Sequence, residues 1–190
     1  MDRAQESELI RRAAAGDREA AAMCIRAHQG ALYSYILRMS GRADVAEDVV
    51  QEAFVRVLTN LDRFDPRYRF STWVFTIARR VYLNMAQKHR PTPDSEAVER
   101  ATDRSGAADA GEWRSELSST LDRALQQLSE TQREVVILFH QFDWTIALIA
   151  RHLDLPEGTV KSYLHRGRRR LREILADSEW LEQRRGNQQS

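Results

Sequence analysis

Cysteine, glycine and proline are all scarce in this chain of 190 residues, which has one cysteine, eight glycines and four prolines. One cysteine excludes a disulfide scaffold and a zinc site of four thiolates, so a reducing compartment is the simplest expectation. No apolar stretch approaches the ~20 residues that cross a bilayer. The first nine residues carry four charged side chains, which is not typical of a signal peptide. We expect a cytoplasmic protein without membrane insertion.

Motifs for catalysis and cofactor binding are also missing. The sequence contains no GxxxxGK[ST], GxGxxG, HExxH or GxSxG motif. The five histidines have no ligand-like spacing with acidic residues or with Cys24. Cys24 and His28 lie on one apolar stripe and are more typical of core residues than of ligands. We therefore predict no catalytic residues, no metal site and no cofactor.

Charge is distributed in blocks, although the net charge is only +1. Residues 161–172 contain six basic side chains and no acidic one, and residues 63–90 contain seven basic side chains against one acid. Residues 44–52 reverse the sign, with four acids and no base. Each block alone is typical of a solvated helix face. Three separated blocks of alternating sign favour several charged partner surfaces.

Apolar residues recur at helical spacing along most of the chain. Asp17 is expected to cap one helix, and Asp44 with Glu47 resembles a capping box at the start of the next. The apolar stripe that follows is predicted to comprise Val50, Phe54, Val57, Leu58 and Leu61. A further helix is expected over about 71–87, and a second capping box over residues 129–132.

The segment 91–112 changes composition, since it is rich in proline, alanine, serine and aspartate and reads as a flexible linker. We predict an all-α fold with two small helical domains, 8–90 and 113–178, on either side of this linker.

The second domain has the layout of a helix-turn-helix. A helix over 146–153, a turn at 154–156 and a last helix to about Leu175 would place Val160, Leu164, Gly167 and Leu171 inward. The opposite face would carry short polar and basic side chains, as a helix in the DNA major groove requires: Thr159, Lys161, Ser162, Tyr163, His165, Arg166 and Arg169. The alternative is a basic, solvated helix.

These segments resemble a known family. The sequences LPEGTVKSYLHRGRRRL (155–171) and LSETQREVVIL (128–138) resemble region 4 of extracytoplasmic-function sigma factors. The sequences DVAEDVVQEAFVRVLTNLDRFDP (44–66) and FSTWVFTIARR (70–80) resemble region 2. The resemblance implies a factor, not an enzyme, that binds core RNA polymerase and directs it to promoters. It also implies an anti-sigma factor as a partner and a role in a stress or envelope response.

The resemblance assigns roles to individual residues of the helix-turn-helix. Lys161, Ser162, His165 and Arg166 match the positions that read bases of the promoter −35 element, and Thr159 lies on the same face. Tyr163, Arg168 and Arg169 match phosphate contacts. Three residues depart from the family pattern: Leu148 replaces a capping glutamate, Asp154 replaces a glycine of the turn, and Tyr163 stands where arginine is frequent.

In the first domain, rings interleave with cations between Phe64 and Lys88, a mixture suited to stacking bases and following phosphates of single-stranded DNA. We expect Phe70 to be core, whereas burial and exposure are about equally expected for Phe64 and Trp73. The resemblance places the unpaired −10 strand near six residues: Phe64, Trp73, Arg79, Arg80, Asn84 and Lys88. Many relatives carry asparagine in place of Arg80.

The acidic helix has a different assignment, because its charge would repel DNA. The resemblance implies that it docks on the clamp helices of the polymerase largest subunit through Asp44, Glu47, Asp48, Gln51, Glu52 and Arg56. Three other functions stay open from the residues alone. They are a regulator that uses only its helix-turn-helix, a helical enzyme with a DNA-like tail, and a structural adaptor.

Overall fold

The computed structural model describes residues 3–88 and 120–188, and every regular element in those ranges is helical. The chain divides into two compact units, Met1–Asp103 and Arg104–Ser190, which are described separately below. The all-α prediction is therefore confirmed. The predicted linker 91–112 lies outside the described residues, and the predicted domain bounds stay predictions. No helix in the described ranges is both long and apolar enough to cross a membrane.

Within its described residues 3–88, the N-terminal unit contains four α-helices, α1 (Arg3–Ala14), α2 (Arg18–Ser40), α3 (Ala43–Thr59) and α4 (Phe70–Lys88), with a 3-10 turn at Leu61–Arg63. Asp17 caps α2, as predicted, because its carboxylate accepts hydrogen bonds from the backbone N–H groups of Glu19 and Ala20. Gly41 ends α2 with a φ of 70°, and its N–H binds the Leu37 carbonyl.

The core of this unit lies where α2 packs against α1, α3 and α4. Its fully buried side chains include Leu32, Tyr35, Ile36 and Met39 of α2, Val49 and Val57 of α3, and Phe70, Val74 and Val81 of α4. Leu9, Ile10 and Ala13 add the inner face of α1. The four helices therefore share one continuous apolar interior.

The predicted capping box of α3 is wrong, and its predicted inner stripe is right only in part, at Phe54, Val57 and Leu61. The helix begins at Ala43 with Arg42 at the cap position, and Asp44 pairs with the Arg42 guanidinium instead of capping. Val50 and Leu58 are only half-buried, whereas Ala46 and Ala53 are fully buried. Because α3 packs against both α2 and α4, its buried face also includes small residues. The stripe of large apolar residues therefore includes two half-buried positions and omits the two buried alanines.

The C-terminal unit contains α5 (residues 120–126), α6 (Glu130–His140), α7 (Ile146–Leu153) and α8 (Glu157–Gln188). Its core joins α6, α7 and α8 through buried apolar side chains: Val135, Leu138, Ile149, Leu153, Val160 and Leu164. The guanidinium of Arg133 binds the carbonyls of Leu125, Gln126 and Leu128, which ties α6 to the segment before it.

The helix ends of this unit differ from the predictions in two places. Ser129 occupies the cap position of α6, but its side chain makes no capping hydrogen bond, so the predicted capping box is not formed. The last helix continues to Gln188, well past Leu175. Its added residues are mainly good helix formers such as glutamate, arginine and glutamine. Local propensity continues the helix there, which a prediction based on the apolar stripe overlooks.

Candidate nucleic-acid and partner interfaces

The helix-turn-helix geometry is set by the turn between α7 and α8. Asp154 adopts the left-handed conformation with a φ of 55°, and the N–H of Leu155 binds the Ala150 carbonyl at 2.9 Å. Aspartate tolerates this conformation better than most residues. At the start of α7, the Thr145 hydroxyl accepts a hydrogen bond from the Leu148 N–H at 3.2 Å. The cap therefore forms although the family's glutamate is missing.

The outer face of α8 brings together most of the predicted DNA-binding residues. Lys161, Ser162, His165, Arg166 and Arg169 are exposed, and Thr159 and Tyr163 are half-buried beside them. The inward positions are as predicted, since Val160, Leu164, Gly167 and Leu171 are all buried. A β-carbon at Gly167 would lie 2.8 Å from Cγ2 of Val136. Glycine therefore lets α8 approach α6 closely.

Two arginines on this face have side-chain partners within α8. The Cζ atom of Arg166 lies 5.1 Å from the centre of the Tyr163 ring, in a cation–π arrangement. Arg169 lies 3.5 Å from the Glu173 carboxylate. Both cations remain exposed, so both can reach a ligand at this surface.

Arg168 differs from the other predicted contacts. Its Nε donates a hydrogen bond to Nε2 of His140 at 2.8 Å, and its guanidinium lies 4.9 Å from the centre of the Phe139 ring. Burial lowers the pKa of His140, and the charge of Arg168 lowers it further. Arg168 thus packs on α6, at the side of the face that holds Lys161 and Arg166.

The predicted partner face of α3 is exposed as a whole. Asp44, Glu47, Asp48, Gln51 and Arg56 are exposed, and Glu52 is half-buried with an ion pair of 2.6 Å to Arg56. The Arg42 guanidinium holds the pKa of Asp44 below its usual range, so this carboxylate is strongly ionised. Val55 lies on the same face and is 55% exposed. Sequence reasoning missed it, although an apolar residue among acidic ones is a visible signal.

The aromatic residues near the predicted single-strand site form a packed cluster. Ring centres of Phe64 and Trp73 lie 5.3 Å apart, and Phe70 lies 5.2 Å from Phe64 and 5.7 Å from Trp73. Phe70 is 1% exposed, which confirms it as core, whereas Phe64 and Trp73 are half-buried. The last two therefore keep ring surface on which a base can stack.

The cations and amide of this site line one side of α4. Steps of seven, four and four residues place Trp73, Arg80, Asn84 and Lys88 along one face, and the last three are exposed. Arg79 precedes Arg80 by one residue, which turns it by about 100° around the helix, and it is half-buried. Arg79 is thus the member of the predicted set that points away from the others.

The loop between the 3-10 turn and α4 carries an exposed ring that the predicted site set omits. Tyr68 is 57% exposed and lies between Arg67 and Arg69, both also exposed. Asp65 orders the start of the loop, because it accepts hydrogen bonds from the backbone N–H and the guanidinium of Arg67. These bonds hold the pKa of Asp65 below its usual range.

Helix α1 holds this loop from outside, which no sequence pattern indicates. The Arg3 guanidinium donates hydrogen bonds to the carbonyls of Pro66 and Arg67, at 3.3 and 3.2 Å. Farther along α1, Glu6 lies 3.2 Å from Nε2 of His28, whose ring contacts Phe70 at 5.3 Å between centres. These contacts join residues between 22 and 64 positions apart, so helical periodicity does not predict them.

Metal and thiol chemistry has no site in the described ranges. No group of three or more His, Cys, Asp or Glu side chains within residues 3–88 and 120–188 is arranged to hold a metal ion. Cys24 is buried in α2, and burial raises the pKa of its thiol. The two charged faces and the aromatic cluster are therefore the candidate functional surfaces.

Comparison with known families matches both units. Residues 24–92 match the Sigma-70 region 2 family, and residues 118–171 match the family described as Sigma-70, region 4. The chain is 32% identical over 178 residues to the ECF RNA polymerase sigma factor SigW of Bacillus subtilis, covering 88% of this chain and 95% of that protein. It is 36% identical over 156 residues to the ECF RNA polymerase sigma factor SigL of Mycobacterium tuberculosis, covering 79% and 85%.

Two solved structures share the architecture. CnrH, determined in complex with the cytosolic domain of CnrY, has a TM-score of 0.69 over 91% of this chain and 98% of that chain, and at 24% identity this likeness shows the fold. The sigma factor RpoE of Bartonella quintana, determined in complex with the anti-sigma factor NepR, has a TM-score of 0.62 at 29% identity, covering 78% of this chain and 91% of that chain.

Proposed function

The chain belongs to the extracytoplasmic-function sigma factors of the sigma-70 family, and we propose how its two units divide the work of that family. It binds core RNA polymerase and directs promoter recognition and transcription initiation. In our proposal, the domain over 113–178 reads the −35 element and the domain over 8–90 binds the polymerase and the unpaired −10 strand. We place the protein in the cytoplasm, where this polymerase works, and assign it no catalytic activity of its own.

The observation that carries the −35 assignment is the shared exposed face of Lys161, Ser162, His165 and Arg166 on α8. Short polar and basic side chains on the first turns of a recognition helix reach base edges in the major groove. One good bidentate contact discriminates between bases by about 1–3 kcal/mol, so two or three contacts suffice for a short element. Arg169 and Thr159 are proposed to flank these contacts at the phosphates.

The test of this assignment is Arg166→Ala in the full chain with core polymerase. We expect weaker binding to promoter duplex and little change on the same duplex with the −35 element scrambled. Arg172→Ala is the matched control, because Arg172 is exposed on a later turn of the same helix. Equal loss on both duplexes would reassign Arg166 to phosphate contact.

For the −10 strand, we propose that Phe64 and Trp73 supply ring surface while Arg80, Asn84 and Lys88 follow the backbone. Separating four or five base pairs costs on the order of 6 kcal/mol, at about 1.4 kcal/mol per stacking step. Stacking on aromatic rings returns about 1–3 kcal/mol per base, and ordering the strand consumes part of that. This small unit therefore needs the polymerase to open a promoter. Because Arg79 points away from Arg80, Asn84 and Lys88 on α4, we propose that it supports the helix and contacts the strand less than they do.

The acidic face of α3 is proposed as the docking surface for the polymerase clamp helices, with Val55 as an apolar contact among Asp48, Gln51 and Glu52. Reversing Asp48 and Glu52 to Lys should abolish polymerase capture in a pull-down with core enzyme, while the helical circular dichroism stays unchanged. Glu8→Lys is the control, since Glu8 is an exposed acid on α1. Normal capture by the Asp48→Lys, Glu52→Lys variant would refute this docking surface.

Regulation is proposed to follow the family pattern. RpoE of Bartonella quintana was determined with an anti-sigma factor, and we propose that this chain also has one, within a stress or envelope response. Capture of such a partner should compete with core polymerase for the α3 face. Mixing the purified pair with core enzyme tests the proposal, because a true anti-sigma factor lowers the amount of holoenzyme formed.

Run-off transcription with purified core polymerase and a promoter library tests the whole assignment. Sequenced transcripts should share one −35 and one −10 element. A regulator that uses only its helix-turn-helix would instead bind duplex without polymerase in a band-shift assay. An adaptor would bind polymerase and start no promoter-specific transcript.

A further inference from the structure

Tyr163 and Arg166 form a pair on the outer face of α8. They are three residues apart, so they are neighbours on the helix surface, and Cζ of Arg166 lies 5.1 Å from the Tyr163 ring centre. The tyrosine is half-buried, whereas the arginine is exposed. The ring is thus the fixed partner of the two, and the guanidinium is the mobile one.

The function of Arg166 depends on direction as well as charge. A guanidinium presents its donors in a planar fork, and it must meet the two acceptors of a guanine edge in one orientation. An exposed arginine with no support samples many side-chain rotamers and loses that freedom on binding. A ring beneath the guanidinium restricts these rotamers before DNA arrives.

We propose that Tyr163 is a positioning residue, whose ring sets the direction of the Arg166 guanidinium toward a base of the −35 element. The inference rests on the proposed function of α8 and deepens it, because it makes the ring, and not the phenolic hydroxyl, the source of specificity.

The test is a double-mutant cycle in the full chain bound to core polymerase, using Tyr163→Phe, Tyr163→Leu, Arg166→Ala and the Tyr163→Leu, Arg166→Ala double variant. The measured quantity is the ratio of affinities for a library-selected promoter duplex and the same duplex with a scrambled −35 element. Tyr163→Phe keeps the ring and should leave the ratio unchanged. Tyr163→Leu should lower it about two- to fivefold, as expected for an exposed cation–π pair.

The double variant decides between positioning and an independent contact. If the ring acts through Arg166, the double variant has the same ratio as Arg166→Ala alone. Additive losses would overturn the proposal. So would a lower ratio in Tyr163→Phe, because it would make the hydroxyl, and not the ring, the source of specificity.

Failure of the underlying function is recognised separately. If Arg166→Ala alone leaves the ratio unchanged, the base contact itself is absent and the positioning role falls with it. Thermal unfolding of Tyr163→Leu, together with its affinity for the scrambled duplex, controls for any general loss of structure.

Discussion

Gly167 and Val136 mark a close approach of α8 to α6, since a β-carbon at position 167 would lie 2.8 Å from Cγ2 of Val136. Val136 is buried and β-branched, so its side chain has little freedom to turn away. The proposed recognition helix can therefore pack close to α6 because residue 167 has no side chain. A β-carbon added at residue 167 therefore requires Val136 or α8 to shift.

Gly167→Ala should destabilise the C-terminal unit by about 1–3 kcal/mol, the usual cost of overpacking a filled core. The matched control is Gly158→Ala, in the same helix, where a β-carbon meets nothing within 4 Å. Hydrogen exchange of α6 peptides in the full chain measures both. We expect faster exchange than in the parent for Gly167→Ala and an unchanged rate for Gly158→Ala. Adding Val136→Ala to Gly167→Ala should partly restore the protection. Equal protection in all variants would contradict the close approach.

Arg3→Ala should weaken binding of the −10 strand through the loop that Arg3 holds. The variant loses the hydrogen bonds to the carbonyls of Pro66 and Arg67, which stabilise the loop conformation by about 1 kcal/mol. This free energy corresponds to about a fivefold weaker complex. Fluorescence anisotropy of a −10 oligonucleotide with holoenzyme measures this.

Arg11→Ala is the control for that experiment, because Arg11 is an exposed residue of α1 that pairs with Glu8. It should bind the oligonucleotide normally. Unchanged binding in Arg3→Ala would show that the loop holds its shape without α1.

His28 predicts a pH dependence of the N-terminal unit. Burial lowers the pKa of His28 below its ordinary value of 6.5, and the nearby Glu6 carboxylate opposes this. The unfolded chain therefore takes up the proton first as the pH falls. The stability contributed by neutral His28 is complete above pH 6.5 and is lost as the pH falls from there to the lower folded pKa.

Urea unfolding of the full chain between pH 5 and 8 tests this direction. His28→Gln should remove the loss that begins near pH 6.5. Glu6→Gln should steepen it, because the carboxylate that favours protonated His28 is gone. A slope that is the same in all three proteins would assign the pH dependence to other groups.

The left-handed conformation of Asp154 predicts how substitutions in the turn of the helix-turn-helix change thermal stability. Its φ of 55° costs about 1–2 kcal/mol for an ordinary L-residue, less for aspartate and nothing for glycine. Asp154→Gly should match or exceed the parent in thermal stability, and Asp154→Ala should fall below it. An alanine variant as stable as the parent would mean that the turn relaxes out of the left-handed region.

Features that depend on neighbours in sequence were predictable. Asp17 caps α2 and Asp154 takes the left-handed turn because short side chains act on backbone within a few residues. The inward set Val160, Leu164 and Leu171 follows from spacing alone. The remaining positions of α8 form its exposed face, which explains why most of the predicted −35 residues lie together.

Features set by packing between helices were not predictable from a local pattern. The inner face of α3 depends on small residues, Ala46 and Ala53, whose role appears only when α2 and α4 are in place. Arg168 looks equivalent to Arg169 in the sequence, yet it packs on Phe139 and His140. The hydrogen bonds from Arg3 to the loop join segments that are distant in sequence, so no periodic pattern predicts them.

Helix α1 also sets where the N-terminal unit can be cut for laboratory work. A recombinant fragment starting at residue 24, where the family match begins, would lack α1 and the first turns of α2. The apolar surface that Leu9 and Ile10 cover would be exposed to solvent. Such a fragment should precipitate or require detergent. Expression plasmids for crystallisation or isotope labelling should therefore begin at or before Arg3.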